Sequence, residues 1–236
     1  MTSLKRLILL LLIVLPFSGM SQYSDVGLWL QGSVSQEVVK DLSWEIEGAC
    51  RLNDYATSPG SIFTDIGAKY KFSKYFRIAG TYRYGIKLQD EGYFRPRQRF
   101  ALDLSSKQDI REIELGYRFR FQASPQVGGS EGSAVEFDNS MRHRISLETK
   151  LKKRTWIQVS GEIYTGREDD QLMPTDMRLK VGIDKRLKKR KYLSYGFIFN
   201  SEINNDDPLR EYVAFVSYSL ELKKIKLKKK EEATTP

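Results

Sequence analysis

Arginine recurs at every second position in three places: Arg95, Arg97 and Arg99; Arg118 and Arg120; and Arg142 and Arg144 on either side of His143. A two-residue spacing puts side chains on one face of a β-strand. A guanidinium is always charged, and its planar fork matches a carboxylate or phosphate. Like charges held side by side are unfavourable unless carboxylates, water or an anion stand between them. Arg97, Arg99, Arg118, Arg120, Arg142 and Arg144 are therefore expected to line one interior, with Glu45, Glu47, Glu114 and Glu162 as acidic neighbours of matching parity. Asp103, Glu112 and Glu148 are further carboxylates assigned to that face. A tight turn at 106–110 would set Arg99 near Arg118 and Arg97 near Arg120. A second reversal near 152–155 would bring Glu162 opposite Arg144. Two kinds of interior fit these residues. One is a salt-bridge network that fills a narrow lumen, and the other is a constriction that attracts anions.

Enzymatic chemistry finds little to work with. One histidine and one cysteine exclude a multi-histidine metal site, a zinc site of several thiolates and an internal disulfide. His143 shares the parity of Met141, Ile145 and Leu147, which is an apolar face. A lipid hydrolase would place a serine nucleophile within hydrogen-bond reach there. The residue two along is Ile145, and the expected cross-strand neighbour is Ile163. His143 reads instead as a near-interface residue in an aromatic belt. Cys50, on the face of Trp44, Ile46 and Leu52, reads as a small apolar residue. The stretch Gly128 to Gly132 precedes no helix, so it reads as a flexible tip or a lid rather than a phosphate loop. No catalytic residue, metal or cofactor is expected.

The chain has 236 residues and a formal charge of +9, with 40 % hydrophobic and 12 % aromatic residues. That composition excludes a disordered chain. Residues 1–21 carry Lys5 and Arg6, an apolar run from Leu7 to Leu15, Pro16 and a Gly19-Met20-Ser21 site. This pattern predicts a cleaved signal peptide, followed by a barrel over 22–222 and a basic tail over 223–236. The apolar run is too short to span a bilayer as a helix. Six lysines crowd the tail, so the high charge belongs to the ends rather than to a nucleic-acid-binding stripe.

These candidate residues must be positioned by strands. From Val26 onward the dominant period is two. In 76–88, Phe76, Ile78, Tyr82, Tyr84 and Ile86 share one face, and Arg77, Thr81, Arg83 and Lys87 share the other. Eleven such runs follow one another, most about ten residues long, which suits tilted transmembrane strands. They lie at 26–35, 41–52, 61–72, 76–88, 95–105, 111–122, 140–151, 156–165, 175–186, 191–202 and 211–222. Short connections alternate with longer ones at 53–60, 89–94, 123–139, 166–174 and 203–210. The turns are basic and the loops acidic, with Asp90, Glu91, Glu168, Asp169, Asp170, Asp206 and Asp207. Aromatic residues such as Tyr70, Phe72, Phe76, Phe119, Phe121, Tyr195, Phe197 and Phe199 fit interfacial girdles. The fold class predicted is an all-β, antiparallel transmembrane β-barrel of 10–12 strands. Eleven runs would leave the termini on opposite sides, whereas bacterial single-chain barrels have even counts. Either a weak strand near the N-terminus or one run outside the barrel would restore parity. Outer-membrane lipids, and a small anionic solute if the lumen conducts, are the expected partners.

Ser21-Gln22 at the cleavage point, the early Trp29 and the arginine pairs quoted above resemble an uncharacterised family of exported Bacteroidetes proteins, domain-of-unknown-function family 2490. The resemblance covers most of the mature chain. It implies an outer-membrane β-barrel and brings no established activity with it.

Overall fold

The computed structural model describes residues 24–89, 92–125, 137–168, 171–205 and 207–225. The expected signal peptide, the Gly128–Gly132 stretch, the acidic residues Asp90, Glu91, Asp169, Asp170 and Asp206, and the tail beyond residue 225 lie outside the described residues. Eleven strands form among the described residues: β1 Ser24–Val39, β2 Leu42–Asn53, β3 Ser58–Lys71, β4 Phe76–Leu88, β5 Phe94–Ile110, β6 Ile113–Pro125, β7 Phe137–Lys152, β8 Thr155–Glu168, β9 Gln171–Lys188, β10 Lys191–Glu202 and β11 Arg210–Glu221. Each expected run is one of these strands, and most strands are longer than expected. Two connections read as long are short for that reason: 54–57 joins β2 to β3, and 169–170 joins β8 to β9.

The strands lie side by side in chain order, and the last returns to the first to close a barrel. Every consecutive pair is antiparallel, whereas β1 and β11 pair in parallel from Ser24↔Arg210 to Ser35↔Glu221. The odd count therefore needs neither a missing strand nor a strand outside the barrel. A parallel ladder is slightly weaker per residue than an antiparallel one, and here the interior reinforces it. Trp29 and Phe215 are register partners across the seam and cluster with Ile198 and Val213, all buried. Phe215 lies across two glycines on the next strands. A Cβ at Gly196 would come within 3.0 Å of its ring, and one at Gly182 within 2.8 Å. Removing both side chains lets an aromatic ring lie flat on the inner wall at the seam.

Side chains alternate as the period predicts. On β4, Ile78 and Tyr84 are exposed on the outer face, while Ala79 is buried on the inner one. The same holds around the wall: Ile66, Leu102, Ile145, Ile163 and Phe197 are exposed, whereas Asp103, Gln122, Arg142, Ser160 and Glu162 are buried. A soluble barrel would show the opposite arrangement.

Four tight turns share one end of the barrel. Lys40-Asp41, Arg111-Glu112, Lys153-Arg154 and Lys189-Arg190 are two-residue connections. Asp41, Arg154 and Arg190 each take positive φ, at 67°, 63° and 67°. Beside each lies a register shift, at Glu37/Val39, Lys150/Lys152 and Lys191/Tyr192. A turn followed by a left-handed residue and a bulge is a common hairpin closure that increases local twist.

Candidate functional site

The hairpin of β5 and β6 decides which charges meet. β5 runs on to Ile110 and turns over Arg111-Glu112, so Asp103, not Arg97, stands opposite Arg120, and Ser105, not Arg99, opposite Arg118. The expected contact of arginines across this hairpin is thereby corrected. Residues 106–110, polar but for Ile110, continue the ladder instead of forming the turn. Arg120 forms a two-pronged pair with Asp103, its Nε donating at 2.5 Å and its Nη2 at 2.7 Å. Arginines do face each other elsewhere, as Arg118↔Arg144 and Arg120↔Arg142 between β6 and β7, and Arg83↔Arg99 between β4 and β5.

Glu162, 5 % exposed, is the hub that ties Arg118 of the first pair to Arg142 of the second. Its cross-strand neighbour is Arg144, as expected. Its carboxylate oxygens, however, accept from Arg118 Nη2 at 2.6 Å and Arg142 Nη2 at 2.7 Å, with Arg178 at 3.9 Å. Arg142 also donates to Gln122 and to the Tyr164 hydroxyl. On the opposite wall Arg83 grips Asp65 through two bonds of 2.6 Å.

Aromatic rings complete the layer. Arg83 lies 3.4 Å from the centre of the Phe63 ring, and Arg51 lies over both Phe63 and Trp29, at 4.9 and 3.9 Å. Arg178 lies over Trp29 and Tyr164, at 4.9 and 5.2 Å, and Arg142 over Tyr164 at 4.1 Å. Guanidinium groups and rings thus alternate in a chain from β4 through β3, β2, β1, β9 and β8 to β7. At its β7 end Arg142 hands over to the Glu162–Arg118–Asp103–Arg120 ion cluster. Each cation–π contact of a desolvated guanidinium contributes about 2 kcal/mol. The chain was not foreseen. Its signal in the sequence is the presence of Trp29, Phe63 and Tyr164 at positions whose neighbours two residues away are polar or glycine.

Voids lie on either side of this layer. On the turn side is a chamber of about 420 Å³ lined by eleven lysines and arginines and five carboxylates. It shares Arg77 and Ser105 with a wider mouth of about 710 Å³. On the loop side a smaller void of about 210 Å³ is lined by Arg97, Lys87, Asp138 and Ser140.

Of the expected interior residues, Arg99, Arg118, Arg120, Arg142, Arg144, Glu45, Glu47 and Glu162 line the central chamber. Arg97 sits exposed at the loop end opposite Gly85. Glu114 lies in the turn-side mouth, paired with Lys107. Glu45 pairs with Lys69, and Glu47 faces Asp65 across β2 and β3. Glu112 belongs to the exposed turn, which corrects its assignment to the interior wall. Glu148 stands opposite Glu114.

His143 is exposed on the outer face opposite Ile163, in the register expected. Its Nδ1 lies 2.9 Å from the Tyr117 hydroxyl, and its ring packs against Phe119. Cys50 is partly buried on the outer-face parity. Among the described residues no three His, Cys, Asp or Glu side chains gather to hold a metal ion.

The family model described as protein of unknown function (DUF2490) matches residues 26–209. No curated protein matches the chain. Among solved structures, the chain is similar to the crystal structure of the beta domain of the Bordetella autotransporter BrkA. The two share 10 % identity and a TM-score of 0.40, with 74 % of this chain and 81 % of that one covered.

Proposed function

We propose that this chain, which belongs to the DUF2490 family, is a non-enzymatic outer-membrane β-barrel whose lumen is closed by its own side chains. The observation that carries the membrane reading is the inside-out distribution of polarity. Isoleucine, leucine and phenylalanine are exposed around the outer wall, and charge is buried within. In water such a wall would be an apolar patch far larger than monomers expose, whereas in a bilayer it is the solvated surface. The strands, at 12–18 residues, exceed the length a tilted strand needs to cross the hydrocarbon. Their ends therefore extend beyond the hydrocarbon, with the basic turns on the periplasmic side.

Closure rests on the cation–aromatic chain and the ion cluster that spans the gap it leaves. Against enzymatic activity stands the surround of His143, whose near partner is a tyrosine hydroxyl and whose facing residue is Ile163. A second reading, a narrow anion-attracting channel, draws on the cationic excess of the chamber. Planar-bilayer recording of the refolded protein separates the two. The closed barrel gives silent bilayers, and the Glu162→Ala, Arg51→Ala double variant gives current. Steady anion-selective conductance from the parent protein would establish the channel instead.

A further inference from the structure

We infer that the chamber on the turn side of the closing layer is a binding site for a small polyvalent oxyanion of the phosphate class. Eleven cationic side chains against five carboxylates leave an excess of six positive charges around about 420 Å³. Four of the five carboxylates are committed to particular partners: Glu45 to Lys69, Asp65 to Arg83, Asp103 to Arg120, and Glu162 to Arg118 and Arg142, while Glu47, opposite Asp65, has no cation at salt-bridge distance among the described residues. Arg77, Arg144 and Lys180 line the same chamber with no carboxylate at salt-bridge distance among the described residues. The buried Nε atoms of Arg77 and Arg144, like those of Arg51, Arg118 and Arg142, have no hydrogen-bond partner among the described residues. Buried donors without acceptors are costly, and clustered cations need an anion or water between them.

The surroundings supply what an oxyanion requires. Ser105 is the register partner of Arg77, and Ser160 of Lys180, whose ammonium also lies 4.0 Å from the centre of the Phe215 ring, so hydroxyl donors stand beside these cations. Two planar forks and an ammonium suit tetrahedral oxygens better than a halide, which cannot use a bidentate donor. Access is from the turn side, through the mouth that shares Arg77 and Ser105 with the chamber. The closing layer bars the other side. The site is thus a blind pocket facing one compartment, and the proposal rests on the closed-barrel reading in that respect.

The test uses the full chain refolded in an uncharged detergent, its fold checked by a heat-modifiable gel shift. Titration calorimetry with sodium pyrophosphate, at ionic strength held with sodium chloride, should show saturable one-to-one binding. Arg144→Gln and Lys180→Gln should each weaken it at least tenfold, and Lys189→Gln, an exposed turn substitution, should leave it unchanged. Absence of saturable binding by the folded parent would overturn the proposal, as would equal affinity in the parent and both chamber variants. Should a variant fail to fold, the parent alone decides: pyrophosphate raises its Tm above that in matched chloride, or the proposal fails. Bilayer recording of the same preparation reports separately on closure. Binding with conductance would leave the oxyanion site standing and remove the blind end. Silence without binding would do the reverse.

Discussion

Glu162 is the residue on which the interior depends most. It is buried, it accepts from two arginines, and a third stands at 3.9 Å. Removing one partner of a buried ionic cluster leaves uncompensated charge and costs about 3–5 kcal/mol. We predict a loss of that size for Glu162→Ala in urea unfolding of the micelle-bound barrel. Adding Arg142→Ala should recover part of it, because one orphaned guanidinium is then gone, and the non-additivity measures the coupling. Independent, additive losses would show that the lumen is wet and the cluster screened. The partner of Glu162 was legible only to within one neighbour. Register brings Arg144 opposite it, but side-chain reach gives its oxygens to Arg118 and Arg142. Strand pairing can be read from alternation; which of several arginines a carboxylate grips cannot.

At the scale of the strand, alternation was legible because every second residue changes character along β4 and β6. Where the strands ended was not. Residues 106–109 are polar and 106–110 looked like a turn, yet they extend β5 and move its register with β6 by six residues. An even shift preserves the face each residue occupies, so the arginines stayed inside while their partners changed. The outer face of β4 gives the next prediction. Ile78→Lys should cost about 2–4 kcal/mol if it lies near the bilayer midplane. Thr81→Lys should cost much less, because Thr81 lines the chamber and only Gly67 separates it from Glu45 in register. Equal costs in refolding titrations into lipid vesicles would invert the assignment of faces. The turns offer a test of local strain. Arg190 holds φ at 67°, a conformation that costs an L-residue about 1–2 kcal/mol. Arg190→Gly relieves it but adds freedom to the unfolded chain, so a net gain of about 0.5 kcal/mol is expected, whereas Arg190→Val should destabilise. Equal unfolding midpoints for the glycine and valine variants would show that the turn carries no such strain.

For the whole molecule, the odd strand count seemed a flaw only while every pair was assumed to be antiparallel. A parallel seam resolves it, and Trp29, Phe215, Gly182 and Gly196 are the residues that make the seam close. They were hard to read in advance because aromatic residues on a polar parity look like breaks in a pattern rather than parts of a second one. The central claim is that the apolar wall meets lipid and the charged, ring-bearing interior does not. Fluorescence quenching in vesicles of brominated phospholipid tests it most directly. Trp44 lies on the outer face beside Ile66 and Tyr82, whereas Trp29 is 7 % exposed under Arg51 inside the barrel. In single-tryptophan variants that retain a heat-modifiable fold, the account predicts strong quenching of Trp44 by the bromines and none of Trp29. Quenching of Trp29 with Trp44 unaffected would contradict it, as would a folded barrel that leaves both tryptophans unquenched and stays out of the vesicles.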